Sequence, residues 1–273
     1  MDTYPQLPSM IQPGSLHGYI EIYDERIRLP EVLSKFSWLT RLYVFEKAGS
    51  TSCKSLCCAE WITYISVPYE NVSTNFLHNL SFLTSEWIFF ITASSSIDSS
   101  LGSYVSTLLM NEPLAGVGAI ELPYKMTALG ITSRHSPWNT TYKRAIYRRK
   151  FLTPSSVPHE ELSTFRGSIY RLDTNSYGYL YHITHITVSS MLERHIRYAK
   201  EEVRLASAAS VFRPSLCPVL KAIVRLIFVN KVLLLRSDGL YLLLAYLTYP
   251  VLIYLFAHES FRKAWPNVIP DKF

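Results

Sequence analysis

Cysteine is scarce in this chain: Cys53, Cys57, Cys58 and Cys217 are the only four in 273 residues, and none falls in a zinc-ligand spacing. Reduced thiols in a cytoplasmic setting are expected instead. No amino-terminal signal peptide is visible. The Asn-x-Ser/Thr triplets at Asn71, Asn79 and Asn139, which matter only in a secreted protein, therefore carry no weight. With only 10 glycines beside 15 prolines, collagenous and low-complexity chains are excluded. What is abundant is apolar. The chain is 48% hydrophobic and 14% aromatic, enough for one large core or for an α/β domain with a helical appendage. A formal charge of +6 suits nucleic acid, anionic lipid or phosphate-bearing substrates, and composition does not choose among them.

The stretch Ser85 to Ser96 organises the rest. A polar start, the apolar run Trp87 to Ile91 and a sudden patch of small hydroxyl residues read as a buried parallel strand ending at the edge of a sheet where ligands sit. Upstream, Val72 to Thr84 is compatible with a helix packing Phe76, Leu77, Leu80 and Leu83 onto that sheet. Residues 1–17 form an irregular leader. His17 to Tyr23 alternates as a first strand, the spacing of Val32, Leu33, Phe36 and Leu39 predicts a helix, and Leu42 to Phe45 reads as a second strand. Gly49-Ser50-Thr51 is a turn opening another helix, and Trp61 to Val67 a third strand. This alternation argues for a mostly parallel sheet with helices on both faces.

Several pieces, in order, resemble one known family. Ile22-Tyr23-Asp24-Glu25, Phe36-Ser37-Trp38 and Val44-Phe45-Glu46 leading into Gly49-Ser50-Thr51 are similar to the amino-terminal half of family 2 glycosyltransferases, notably the bacterial branch that adds sugars to the lipopolysaccharide core. Asn75, Glu86-Trp87-Ile88 and Ala93 fall where that pattern continues. So do Arg134-His135 through Trp138, Tyr142-Lys143, Ile146 to Arg149, Val157 to Glu160, His182 to His185, and Met191 to Ala199 with Arg197-Tyr198. The resemblance spans residues 18 to 257. It implies a GT-A-like α/β domain over 18–189, a nucleotide-sugar donor, and a lipid-linked or lipopolysaccharide acceptor at the cytoplasmic face of a membrane.

The same resemblance implies site residues. Asp24, Glu25, Glu46, Ser50, Thr51 and Asn75 would frame the nucleotide, the region around Thr92 to Ser94 the diphosphate, Arg148 and Arg149 would contact diphosphate or an anionic acceptor, and Glu160 would be the general base that deprotonates the acceptor hydroxyl. The departures fall at the metal. The family holds Mg or Mn with two closely spaced aspartates, because hard cations prefer carboxylate oxygen. Here Thr92 and Ser94 stand at those positions, so no metal ligand is assigned and Mg or Mn is a doubtful cofactor. Asp98 lies four residues beyond Ser94 and points elsewhere unless the loop rearranges. Thr74 stands where an arginine would grip phosphate, and Ser52 where an aspartate would follow.

Bland readings stand beside these. His159-Glu160-Glu161 also reads as a solvated loop. The basic cluster Lys143, Arg144, Arg148, Arg149 and Lys150 also reads as a surface-exposed amphipathic strand. His182 and His185, three apart on a strand, lie on opposite faces, which argues against a two-histidine metal site while leaving one of them free to replace a lost ligand.

Residues 190–273 are helical and membrane-associated. Ser190 to Val211 is an amphipathic helix. Leu220 to Leu235 carries Lys221, Arg225 and Lys231 along an apolar face as an interfacial helix does. Leu240 to Ala257 has eighteen residues without a charge, long enough for a marginal span, while Pro250 and four tyrosines suit an interfacial or re-entrant helix as well, and the bland reading is a buried helical hairpin closing the catalytic domain. Two functions compete: the transferase, and a catalytically inactive, membrane-bound relative that binds or scaffolds. A metal-independent transferase using cationic side chains lies between them. Nucleic acid is not an expected partner, because the basic residues lie beside apolar helices rather than on an aromatic stacking platform.

Overall fold

The computed structural model describes residues 13–22, 25–47, 52–67, 79–112, 114–154, 163–172, 175–209 and 214–264. Its strands are β1 (Leu16–Ile22), β2 (Arg41–Lys47), β3 (Ile62–Val67), β4 (Trp87–Thr92), β5 (Ser95–Ile97), β6 (Val117–Ala128), β7 (Ile131–Thr132), β8 (Tyr142–Arg148), β9 (Leu152–Pro154), β10 (Ser163–Phe165), β11 (Ser168–Arg171) and β12 (Leu180–Thr184). The α-helices are α1 (Leu29–Lys35), α2 (Ser99–Asn111), α3 (Val188–Ala209), α4 (Cys217–Val224) and α5 (Ser237–Ala264). The chain divides into two compact units, 1–125 with 140–182 and 126–139 with 183–273.

The first unit is the expected α/β layer structure. Strands β3, β2, β1 and β4 run parallel in that order, and β8 and then β6 follow antiparallel. The chain leaves β1 on one side for β2 and β3, and returns on the other as β4. That reversal is a topological switch point, and it lies between β1 and β4.

Alternation along these strands fills both faces. Tyr19, Tyr43, Phe45 and Ile88 form a buried cluster against which Phe82 and Phe90 pack, with Tyr19 ring centroids 5.0 Å from Phe45 and 5.2 Å from Phe90. Leu80 and Leu83 pack there as anticipated; Phe76 and Leu77 lie outside the described residues. On the opposite face Phe36 and Trp38, just past α1, meet Phe89 at 5.6 and 6.1 Å. Gly102 lets α2 come against Trp38, since a Cβ there would sit 2.5 Å from the Trp38 ring. Phe36, Phe45 and Phe89 have no exposed surface, each contributing about 2–3 kcal/mol of burial.

Two local expectations are corrected. The expected turn falls on residues 48–51, outside the described residues, and beyond them the chain makes only a 3₁₀ turn at Lys54–Leu56 instead of a helix. The basic segment 142–150 is not a surface strand either: β8 lies between β4 and β6, because Ala145, Ile146 and Tyr147 bury there.

The second unit is built on α3 and α5, which pack together. Its core gathers Leu226, Val232 and Leu242, with Ile131, Trp138, Leu235 and Tyr246 around them. Trp138 meets the rings of His185 at 5.6 Å and Tyr246 at 5.3 Å, so part of the Arg134-to-Trp138 motif serves the C-terminal helices. The span 220–235 is not one helix. After α4 it passes through a π turn at Arg225–Val229 and a 3₁₀ turn at Val232–Leu235, with left-handed φ of 54° at Lys231 and 55° at Arg236. Among the described residues one helix, Ser237–Arg262, is long and apolar enough to cross a membrane, with a mean hydropathy of 1.9 and 17% of its most apolar stretch buried. All four cysteines are free thiols.

Candidate functional site

Parallel strands deliver their last residues to one edge, so β1, β2 and β4 bring Glu21, Glu46, Lys47 and Thr92 together there. Glu21 and Thr92 are register partners across the switch point. The Glu21 carboxylate accepts the Tyr19 hydroxyl, takes a hydrogen bond from Asn79 at 3.3 Å and lies 3.7 Å from Lys47 Nζ. Burial, and then the Glu21 charge, push the Tyr19 phenol well above its ordinary range.

Glu46 points the other way. Its buried carboxylate accepts the Cys53 amide at 3.0 Å through each oxygen and also the Tyr64 hydroxyl. The residue expected to meet the nucleotide therefore holds the chain that returns from β2. Burial, reinforced by Glu46, raises the Cys53 thiol. Arg26 donates to the Ser52 carbonyl at 3.1 and 2.7 Å, tying the segment after β1 to the segment after β2. The Glu25 carbonyl accepts the Leu29 amide at 2.9 Å at the entry to α1.

At the end of β4 four polar side chains converge. Thr92 Oγ1 lies 3.1 Å from Ser94 Oγ and 2.9 Å from Ser95 Oγ, and the Thr92 amide donates to Ser95 Oγ at 3.1 Å. His182 Nδ1 sits 3.2 Å from Thr92 Oγ1 and 3.1 Å from Ser94 Oγ. β12 brings it there by pairing antiparallel with β5, His182 opposite Ser95. The Tyr124 ring of β6 stacks on the imidazole at 6.4 Å. Asp98 faces elsewhere: its Oδ2 accepts the Tyr179 amide at 2.8 Å and the Tyr181 hydroxyl at 3.1 Å, and Tyr181 alternates with His182 on the strand. His185 belongs to a different neighbourhood, beside His195 with ring centroids 5.0 Å apart.

Arg148 and Arg149 do not join this edge. β8 runs antiparallel to β4, with Arg148 opposite Trp87, and this carries both arginines to the beginning of β4. There Arg148 donates to Glu86 through Nε at 2.8 Å and through a second nitrogen, and to the Leu114 carbonyl at 2.8 Å. Glu86 also takes the Gly14 amide at 2.8 Å. Burial by itself would raise the Glu86 carboxyl; the Gly14 amide and Arg148 outweigh it and hold the group below its ordinary value. Burial lowers Arg149. Asp24, Ser50, Thr51, Asn75 and Glu160 lie outside the described residues.

Thr92 and Ser94 thus lie at and just past the end of β4, and His182 and Ser95 complete the cluster. The patch Ser94-Ser95-Ser96 was the only signal for Ser95. His182 is recruited by strand pairing across more than eighty residues. Among the described residues no group of three or more His, Cys, Asp or Glu side chains is placed to hold a metal ion.

No protein-family model matches this chain, and no curated protein sequence does. Several solved structures are similar in part. S. aureus TarS 1-349 in complex with UDP-GlcNAc aligns over 95% of this chain and 93% of that one, at 11% identity and a TM-score of 0.39. A longer S. aureus TarS structure aligns over 68% of this chain at 11% identity and a TM-score of 0.42. Glucosyl-3-phosphoglycerate synthase from Mycobacterium tuberculosis, with Mn2+, UDP-Glc and phosphoglyceric acid, aligns over 51% of this chain at 12% identity and a TM-score of 0.35. The chain spans 39% and 60% of the lengths of the last two.

Proposed function

We propose that this protein is a nucleotide-sugar-dependent glycosyltransferase acting at the cytoplasmic face of a membrane on a lipid-linked, lipopolysaccharide or cell-surface polysaccharide acceptor. The observation that carries this reading is the switch point between β1 and β4, with Glu21, Lys47 and the Thr92–Ser94–Ser95–His182 cluster at the strand ends. An open α/β sheet binds ligands at such an edge. The resemblance over 18 to 257 names the ligand class. In this reading Asp24, Glu25, Ser50, Thr51 and Asn75 frame the nucleotide and Glu160 is the base.

The membrane part of the proposal rests on exposed apolar side chains. Leu220, Val224, Phe228, Val229 and Leu234 are exposed on the segment that carries Lys221, Arg225 and Lys231, and Leu240, Leu244 and Leu255 are exposed on α5. Apolar side chains flanked by bases suit acyl chains below anionic headgroups. Co-flotation with anionic vesicles tests this, and failure to float removes the membrane from the proposal.

Glu160→Gln tests the enzyme. Transfer of labelled sugar from donor into a membrane lipid fraction should be abolished while donor binding stays nearly unchanged, and retained turnover refutes Glu160 as base. One observation favours the catalytically inactive relative: Glu46 is engaged internally and no carboxylate stands at 92 or 94. Calorimetry with a panel of nucleotide sugars separates the two, since binding of no donor supports the scaffold.

A further inference from the structure

We propose that the donor's diphosphate is received by an imidazole–hydroxyl cradle, His182 with Thr92, Ser94 and Ser95, in place of a divalent cation. This rests on the donor-binding reading above and adds what holds the phosphates.

The donor set decides against Mg or Mn. Two threonine and serine hydroxyls stand where a hard cation needs carboxylate oxygen, and the ring nitrogen nearest them already lies 3.1 and 3.2 Å from both. Asp98, the acid nearest in sequence, is held by Tyr179 and Tyr181 on the opposite side of β12. Glu21 faces the same edge but accepts Tyr19 and Asn79 and lies against Lys47. Among the described residues, a cation placed at Thr92 would find neutral oxygens and no anion committed to it.

The same groups match a phosphate. Hydroxyl protons and an imidazole N–H are donors that a phosphate oxygen accepts, and the negative charge of the phosphate strengthens each such bond. The turn is held in place by the Thr92 amide on Ser95 Oγ, so the hydroxyls are positioned before an anion arrives. Three strand segments contribute, the end of β4, β5 and β12, and the cluster stands at the switch point where a donor's phosphates fall. Lys47, the last residue of β2, adds a cation to the same edge.

The test is calorimetry on the full chain in detergent, using nucleoside diphosphates and inorganic pyrophosphate, in EDTA and in Mn2+. Both probes should bind in EDTA and gain little from the metal. His182→Ala should weaken binding on the order of tenfold or more, as expected for a lost charge-assisted hydrogen bond. The near-isosteric pair Thr92→Val with Ser94→Ala should weaken it severalfold. In Thr92→Asp with Ser94→Asp, binding should become dependent on Mn2+. Nucleotide binding that requires Mn2+ in the unaltered protein, or that ignores both His182→Ala and the double variant, overturns the cradle and leaves the donor reading standing. Pyrophosphate binding in EDTA that depends on His182, without any nucleotide binding, keeps the cradle and removes the donor reading. Absence of binding by either probe in EDTA overturns the cradle.

Discussion

The two edges of the parallel sheet hold opposite kinds of polar group. At the beginning of the strands, charges are tight: Arg148 grips Glu86 through two nitrogens, Glu86 takes the Gly14 amide, and Arg149 lies close enough to His17 to depress it. At the ends of the strands the ion pair is long, Lys47 to Glu21 at 3.7 Å, and the centre of the edge is three hydroxyls and an imidazole. Arg148, one of the two arginines that resemble a diphosphate grip, is spent on Glu86 and the Leu114 carbonyl, and neutral groups stand where ligand charge would arrive. Substitutions at the first edge should therefore move stability without touching ligand binding, and those of Lys47 and the hydroxyl–imidazole centre of the second edge the reverse.

Arg148→Met should break this comparison hardest. It leaves Glu86, with 19% of its side chain exposed, beside an apolar neighbour. Removing one partner of a mostly buried pair costs about 3 kcal/mol. Urea unfolding measures it, and the nucleotide affinity of the folded fraction should be unchanged. The folded Glu86 carboxyl is depressed, so the pair's contribution is whole above the ordinary carboxyl value and lost as pH falls through the folded one. The variant should consequently lose less stability than the parent when unfolding is compared at pH 6 and near pH 3. An unaltered unfolding curve for Arg148→Met would mean that the charges at this edge do not hold it.

His17 sharpens the same edge through pH. Burial first, then Arg41 and Arg149, lower it from 6.5 to about 4. The unfolded chain takes up the proton first, so stability is whole above pH 6.5 and falls as pH drops toward about 4, by on the order of 3 kcal/mol in total. His17→Phe, beside Tyr43 at a ring separation of 5.6 Å, should flatten that slope. A slope unchanged in His17→Phe assigns it to another group.

How much of this was legible follows from range. The runs in β1, β2 and β4, and the hydroxyl patch ending β4, were readable because period and apolar content are local properties. The direction of β8 is not local. The residues Ile146 to Arg149 are the same whether the strand runs with β4 or against it, yet direction alone decides whether Arg148 meets a ligand or Glu86. His182 was ambiguous for a related reason: its partner strand β5 is three residues long and lies far away in sequence. Along 220–235 composition was legible, but the left-handed residues Lys231 and Arg236 that break the helix carry no glycine to announce them.

Glu46→Gln tests whether a buried acid at the ligand edge serves the fold. The carboxamide is neutral and one of its two positions is a nitrogen that cannot accept, so the Cys53 amide and the Tyr64 hydroxyl both lose a charged acceptor, at about 1–2 kcal/mol. Thermal unfolding reads the loss. If nucleotide affinity falls with little change in unfolding, Glu46 meets the ligand after all and the internal role is refuted.

The smallest effect on stability is expected at Lys47. Its partner Glu21 is 3.7 Å away, both side chains keep some contact with water, and Glu21 retains the Tyr19 hydroxyl and Asn79 when the lysine is removed. A long, partly hydrated pair contributes under about 1 kcal/mol, and methionine preserves most of the apolar stem, so the unfolding midpoint of Lys47→Met should barely move. Nucleoside diphosphate affinity should nevertheless fall severalfold and lose part of its salt dependence, because the variant removes a cation from the edge where the phosphates are proposed to lie. Arg148→Met and Lys47→Met then form a crossed pair, one changing the fold and sparing the ligand, the other sparing the fold and changing the ligand. If both variants changed both properties, the division of labour between the two edges would be wrong, and the ligand would have to be sought along the sheet rather than at the switch between β1 and β4.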